Sequence, residues 1–557
     1  MIPAAPPARG SQWRLIATCV AIAGLSTWLR LALPILGVGN GEFDDMLFVR
    51  LAAHMAAGEW LGPYGNLTLA KGAAFPAFIA ATHVLGIPLK LAEHAVYLGA
   101  SWMFARSIAG VIGSRRSFPI LFAILALNPA VWAAEAGGRI VRENLYVSLT
   151  LLLLALAIRL YSTPRDLRRE WPALLAFGLV GGLFWITREE GAWIVPALIV
   201  IADAWLARAR RANDLPAVAI AFALAAPAAA FAAVVLAVNA LNHHYYGVFR
   251  NNDFRSSDFQ SGYGALARIG QDEMRRFVVF PKDARLRAYA ASANARQLQP
   301  YLDGELGRSW ARVGCEQTAI RPCDEILSGW FMWALRDAVA QAGHYRSARE
   351  AEGFYKALAA EIDEACAAKR IPCGPPRRTL VPAWRPEFAA WTAESGVKVA
   401  RTLLTLGDMQ VRTLASVGDA AQLGLMRRMT RAKLASTTDL HPIGLAYDTA
   451  RAITAAQRML HMVSLLLGIA ALAFAFRRSG ATVPAVALAA VLAAIATRIA
   501  LLAFLDATSI PSNNLLYLSP SLPLSLALGP AAMMLAWQAA RAPRRFGRST
   551  PERAAVS

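Results

Sequence analysis

Acidic residues gather at three points in this sequence, each just beyond an apolar run. The first point reads Gly41-Glu42-Phe43-Asp44-Asp45-Met46-Leu47-Phe48 and runs on through Glu59 to Lys71-Gly72. The second reads Gly138-Arg139-Ile140-Val141-Arg142-Glu143-Asn144-Leu145, and the third Thr187-Arg188-Glu189-Glu190-Gly191. Two neighbouring carboxylates raise one of their pKa values, which suits a general base. Carboxylates also hold a hard divalent cation, and arginines clamp phosphate through paired hydrogen bonds. Each loop has a plainer reading as well. Asp44 or Asp45 would cap the helix after it, and Arg142–Glu143 and Arg188–Glu189 would be local ion pairs at helix ends.

The elements that must position these loops are membrane helices. A span needs about 20 mostly apolar residues. Residues 13–36, 92–112, 118–134, 145–161, 172–187, 192–208, 216–240, 458–476, 482–504 and 513–537 are the candidates. The chain is 56% hydrophobic and only 17% charged, far from a soluble average. Its net charge of +20 does not imply a nucleic-acid partner. Many basic residues lie in short loops between apolar runs: Arg115 and Arg116, Arg165 to Arg169, Arg208 to Arg211, Arg477 and Arg478, and the tail with Arg541, Arg544, Arg545 and Arg548. That bias places those loops and both termini in the cytoplasm of a multi-pass protein of the cytoplasmic membrane. No cleavable signal is evident, so the first apolar segment is expected to stay as an anchor.

Residues 73–88, bounded by Pro76 and Pro88, read as an interface or re-entrant helix, because an eleventh crossing would break the parity. The outer face then carries the loop 37–91, the short loops 135–144 and 188–191, and a large insert, 241–457. The expected organisation is a seven-span module over 1–240, a mostly helical periplasmic or extracellular insert over 241–457, a three-span region over 458–540 and a basic cytoplasmic tail over 541–557. Helical spacing is evident at 327–342 and 346–369, and Pro375 to Pro386 mark an extended linker. Residues 396–435 are amphipathic, suited to the membrane surface or to an ordinary helix of the insert. Cys19 lies in the first span; Cys315, Cys323, Cys366 and Cys373 all lie in the insert. Four cysteines in an oxidising compartment suit two disulfides, with three pairings open, and their spacing is wide for zinc.

The order of these motifs resembles the GT-C membrane glycosyltransferases, which use polyprenyl-phosphate-linked sugars and include protein O-mannosyltransferases and the lipid A aminoarabinose transferase. Phe43-Asp44-Asp45-Met46-Leu47-Phe48 is similar to the family's first-loop acidic pair. Lys71-Gly72-Ala73-Ala74-Phe75-Pro76 resembles its Lys-Pro-Pro or Lys-Gly-Pro segment, with Ala for one Pro. Arg142-Glu143-Asn144-Leu145 resembles the second acidic site, with Glu where Asp is common, and Thr187 to Gly191 the third-loop motif. Tyr517-Leu518-Ser519-Pro520 resembles the late Tyr-Leu-x-Pro signature, with Leu516 where Arg often stands.

The resemblance covers roughly 10–240 well and 458–540 loosely. It implies an all-α bundle of about ten transmembrane helices, with interface helices in the first outer loop. It also implies an inverting transfer from a polyprenyl-phosphate-linked sugar to an envelope acceptor. Asp44 would be the base, Asp45 would orient it or share a divalent cation (Mg or Mn) with Glu143, and Lys71, Arg142 and Arg188 would hold the donor phosphate. Glu189, Glu190, His243, Tyr246 and Arg498 are further candidates. His243 and Tyr246 also fit an interfacial aromatic belt, and Arg30 and Arg498 would reach a lipid phosphate or snorkel. A transporter or scaffold for envelope polysaccharide is the competing function; it requires ionisable residues deep inside spans. A transferase descendant that has lost catalysis is a third.

Overall fold

Inside a bilayer a segment must satisfy its own backbone polar groups, so long apolar runs become helices. The computed structural model describes residues 9–541 except 115, 135, 163–166, 213–215, 319, 408, 410, 413 and 438–443. The expected inner-face residues Arg115 and Arg165, and the tail with Arg544, Arg545 and Arg548, lie outside the described residues. The first half holds α1 (Arg9–Ala32), α2 (Asp45–Ala56), α3 (Ala74–Val84), α4 (Leu89–Ile112), α5 (Ser117–Ala126), α6 (Glu143–Ser162), α7 (Leu167–Thr187), α8 (Val195–Ala212) and α9 (Ala217–Tyr246). The insert holds α10 (Ser257–Ala267), α11 (Lys282–Ala291), the short α12 (Ala293–Gln297) and α13 (Gln299–Leu302), α14 (Glu305–Thr318), α15 (Ser328–Gln341), α16 (Ala348–Ala367), α17 (Glu387–Leu404) and α18 (Ala420–Thr430). The chain ends in α19 (Leu445–Ser479), α20 (Val483–Thr508), the single turn α21 (Leu515–Leu518) and α22 (Leu522–Arg541). Among the described residues β-structure is limited to isolated bridges.

Nine helices are long and apolar enough to cross a membrane among the described residues, one fewer than the ten expected. The difference is 118–134. Its helix, α5, stops at Ala126 after 10 residues. Asn128 then accepts a hydrogen bond from Ala130 N at 3.1 Å and caps a 3₁₀ turn, Pro129–Val131. Pro129 has no N–H to continue a helix. Even so, the segment runs back along α4. Phe118 meets Trp102 at 4.6 Å and Tyr97 Oη donates to Leu125 O at 2.7 Å, so α5 runs antiparallel to α4. The irregular stretch beyond it returns to the level of the first turns of α4, where Arg30 donates to Gly137 O and pairs with Glu93 at 2.9 Å. Non-helical backbone at this depth persists because protein surrounds it. Gly137 permits the turn, since a Cβ there would sit 1.9 Å from Val131 O. Nine long helices and this composite segment together correspond to the ten apolar segments, among the described residues.

Residues 73–88 form only α3, which at 11 residues is too short to cross and packs with α2 on the insert-bearing face. The amphipathic stretch 396–435 divides. Helix α17 lies along α20, with Phe388 at 6.5 Å from Phe504. Helix α18, closed by a capping box of Asp419 and Gln422, buries Met426 and Met429 in the membrane-module core. It therefore packs on protein through the face that could have met lipid.

The insert has its own core around Phe259, Phe280, Leu335, Leu358 and Ile362. The disulfides are sequential, Cys315–Cys323 and Cys366–Cys373, each with Cα atoms 5.6 Å apart. Mass spectrometry of non-reduced peptides should recover those two linkages; a crossed pairing or four free thiols would contradict this arrangement. Among the contacts that anchor the insert to the module are two from α15. Gly329 N donates to Ser509 O at 2.9 Å beyond α20. Arg336, fully buried, pairs with Asp253 at 3.0 Å and donates through Nε to Asn66 O at 2.8 Å in the first loop.

Candidate active site

The three acidic loops converge, and several of their charges pair across loops. Lys71 pairs with Asp44, closing the first loop on itself. Arg139 of the second loop reaches Asp45 at 2.5 Å through Nη2 and 3.3 Å through Nε. Arg142 pairs with Glu189 at 2.7 Å. Arg188 pairs with Glu143 and, at 2.5 Å, with Glu190. The local pairs Arg142–Glu143 and Arg188–Glu189 do not form; the crossed pairs tie the first loop to the second and the second to the third. The capping reading of Asp44 fails as well: Asp44 occupies the N-cap of α2, but its side chain makes no cap bond. Gly72 lets the first loop press on the end of α7, because a Cβ there would lie 1.8 Å from Ile186 O.

The two adjacent acids differ in environment. Asp45 is wholly buried, whereas the Asp44 side chain is 55% exposed to the cavity. Burial would raise the Asp44 pKa, but Lys71 against it, with Arg142 and Arg139 behind, holds it below the ordinary carboxylate value. Burial pushes Asp45 up to about 6, with Asp44 adding to the rise and Arg139 opposing it. A value raised by folding contributes stability that is complete at acid pH and is lost as pH rises through about 6. The melting temperature of the wild type should therefore fall relative to Asp45→Asn as pH rises from about 4 to about 6, between the ordinary carboxylate value and the raised one. A constant difference across that range would show that Asp45 titrates normally.

These groups line one cavity of about 1500 Å³ between the module and the insert. Asp44, Lys71, Arg142, Glu143, Arg188, Glu189, Glu190 and Arg498 all face it, so residues far apart in sequence share one space. The wall beside Asp44 is aromatic: Phe43 stands edge-on to Trp310 at 4.9 Å and to Trp333 at 5.3 Å, and Lys71 Nζ sits 5.6 Å from the Trp333 ring centre.

Lys71, Arg142 and Arg188, the expected phosphate ligands, are each already matched by a carboxylate. Among the other cations lining the cavity, Arg498 and Arg255, which stand near these loops, are not. Arg498 of α20 is fully buried; its Nε and Nη2 donate to Tyr517 O at 3.1 and 2.7 Å, and its Nη1 has no partner. Arg255 of the insert lies over Trp185 at 4.1 Å and donates to backbone carbonyls of the third loop. Neither Arg139 nor Arg255 carries a role in the motif reading of the sequence. Arg139 was within reach of reasoning, since Asp45 needed a cation. Arg255 was not, because nothing local marks where the insert folds back.

His243 and Tyr246 do not line this cavity, a correction to their candidacy. Helix α9 simply continues through them. His243 is exposed, and Tyr246 Oη donates to Gly62 O at 2.8 Å while its ring packs against Tyr64 at 5.7 Å. The expected cation site also lacks free ligands. Asp45 is held by Arg139 and Glu143 by Arg188. Among the described residues no group of three or more His, Cys, Asp or Glu side chains is placed to hold a metal.

No protein-family model matches the chain, and no curated protein matches it. Similar solved structures exist. ArnT from Cupriavidus metallidurans, solved in the apo state and bound to undecaprenyl phosphate, is 14% identical over 96% of this chain and 78% of its own, with a TM-score of 0.30. The archaeal oligosaccharyltransferase AglB from Archaeoglobus fulgidus, in complex with an inhibitory peptide and a dolichol-phosphate, is 10% identical, with a TM-score of 0.37. Its match covers 95% of this chain, which spans 51% of that protein's length. The likeness is loose and one of fold alone. The roles of individual residues rest on the geometry of the cavity.

Proposed function

We propose that the chain is a membrane glycosyltransferase that moves a sugar from a polyprenyl-phosphate donor to an envelope acceptor, with inversion, at the outer face of the cytoplasmic membrane. The observation that carries this reading is the unpartnered Nη1 of Arg498, fully buried and lining a cavity that also holds an open carboxylate. A buried donor without a partner costs about 1–3 kcal/mol, more when charged, and an anionic ligand removes that cost. Arg255 would supply the second cation.

A place for the tail adjoins. An apolar groove of about 390 Å³ runs among α6, α7, α8 and α9, lined by Phe177, Trp185, Ile194, Leu198, Trp205 and Phe231 among others. Trp185 lines that groove and carries Arg255, which lines the cavity, on its face, so that stacked pair stands between the two spaces. A ligand with a long apolar tail and a phosphate head fits both. Asp44 takes the proton from the acceptor hydroxyl as that oxygen attacks the anomeric carbon. The bond to the phosphate breaks, and Arg498 and Arg255 receive the charge that develops on the leaving group. Phe43, Trp310 and Trp333 wall the sugar position. The basic short loops orient the cavity and the insert outward.

The test is binding of undecaprenyl phosphate to the purified full chain, read by native mass spectrometry. Arg498→Met should weaken it by about tenfold or more, the worth of one charged hydrogen bond. Equal binding of undecaprenol and undecaprenyl phosphate by the wild type would remove the basis for the reading.

A further inference from the structure

Past Asp44 the cavity continues as an arm between the insert and the cavity-side turns of α20. Its floor is apolar, made by Leu501, Phe504 and Leu505 of α20 with Phe388 of α17. Its rim carries Arg276, Arg377 and Arg385. The Arg276 guanidinium lies 4.6 Å from the Phe277 ring centre and 4.5 Å from that of Trp391, and its Nε donates to Ala507 O at 3.2 Å. Arg377 reaches only the Val381 carbonyl. Among the described residues, none of the three has a carboxylate within ion-pair distance. The contrast with their neighbour is sharp: Arg275 is matched by Asp324 at 2.7 Å. Glu394, whose charge Arg276 feels, is taken by Lys398 at 2.6 Å.

Three guanidiniums around one arm, with ring faces holding the first of them in place, form a cleft of one sign. Such a cleft concentrates oppositely charged ligands. The guanidinium fork matches phosphate and carboxylate, each of which accepts two parallel hydrogen bonds. The arm belongs to the same cavity as Asp44 and the Trp310–Trp333 wall.

We propose that this arm is the acceptor subsite and that the acceptor is an anionic saccharide, bearing phosphate or carboxylate groups. The word acceptor rests on the transferase reading; the preference for an anionic sugar rests on the arm alone.

Binding to the purified full chain, read by native mass spectrometry, tests the preference in two arms. The soluble arm compares trigalacturonate with maltotriose. The membrane arm compares glucuronosyl diacylglycerol with glucosyl diacylglycerol. The acidic member of at least one pair should bind about tenfold or more tightly, the worth of one charged hydrogen bond. A preference in the soluble arm alone identifies a free glycan, and one in the membrane arm identifies a lipid-linked one. Arg276→Ala, Arg377→Ala and Arg385→Ala together should bring that ratio close to one. The same change at Arg308, Arg346 and Arg370, exposed arginines elsewhere on the insert, should leave it intact. Equal binding of acidic and neutral members by the wild type in both arms overturns the proposal, and so does a preference that survives loss of the three rim arginines. Undecaprenyl phosphate is titrated in the same samples. Donor binding without an acid preference sinks this inference and leaves the transferase reading standing; an acid preference without donor binding does the reverse.

Discussion

Asp44→Asn should abolish sugar transfer while leaving the chain folded and inserted. Among the paired acids of the cavity Asp44 is the most open: its side chain is 55% exposed, against 34% for Glu190, 21% for Glu189 and 7% for Glu143. It makes one ion pair, to Lys71, and no cap bond to α2, so Asn keeps the shape and removes the proton acceptor. Losing a general base typically costs about 10²–10⁴-fold in rate. Because Lys71, Arg142 and Arg139 hold the Asp44 carboxyl below its ordinary value, it is already ionised at neutral pH. Protonation of this group should therefore not slow the reaction until well into the acid range. The rate is measured with purified protein and a polyprenyl-phosphate-linked sugar. Retention of more than about a tenth of the wild-type rate would mean that Asp44 is not the base, since even a weak base contributes about 10²-fold.

Arg188→Met should act in the opposite way, through stability. Arg188 is buried, bridges Glu143 and Glu190, and lies 5.0 Å from the Tyr517 ring centre. Its removal strands Glu143 in a buried site. Breaking one side of a buried pair costs about 3–5 kcal/mol because the remaining charge is uncompensated. The expected result is a large fall in melting temperature in detergent. Adding Glu143→Gln should restore much of it, since the stranded charge is then gone. If the single variant melts like wild type and loses only donor binding, Arg188 is a phosphate ligand and its ion pairs are incidental.

The loops of the site were legible because each puts acid and base at the end of an apolar run, where charge is costly unless used or paired. Their partners were not. Nothing in Arg142-Glu143 or Arg188-Glu189 shows that each arginine will pair with the other loop's glutamate; that depends on how α6 and α7 stand side by side. The span expected at 118–134 shows a second limit. Its apolar count suits a helix, but Asn128-Pro129 ends helical backbone locally, and the chain beyond Pro129 is irregular. The aromatic run at His243 to Tyr246 misled for a simpler reason: polar and aromatic residues at a helix end satisfy local needs as readily as they build a site. The three unmatched arginines of the arm come from segments as much as a hundred residues apart in the chain, so no spacing rule could group them.

The first acidic loop is held mostly by residues made long after it. Asn252 donates to Ala70 O at 2.9 Å and to Glu189 at 3.0 Å, Asp253 N donates to Leu69 O at 2.8 Å, and Arg336 and Asp337 grip Asn66. The far wall waits for Arg498 and Tyr517. A ribosome that has delivered only the first seven crossings has already made the acids of the centre, but not the groups that hold them.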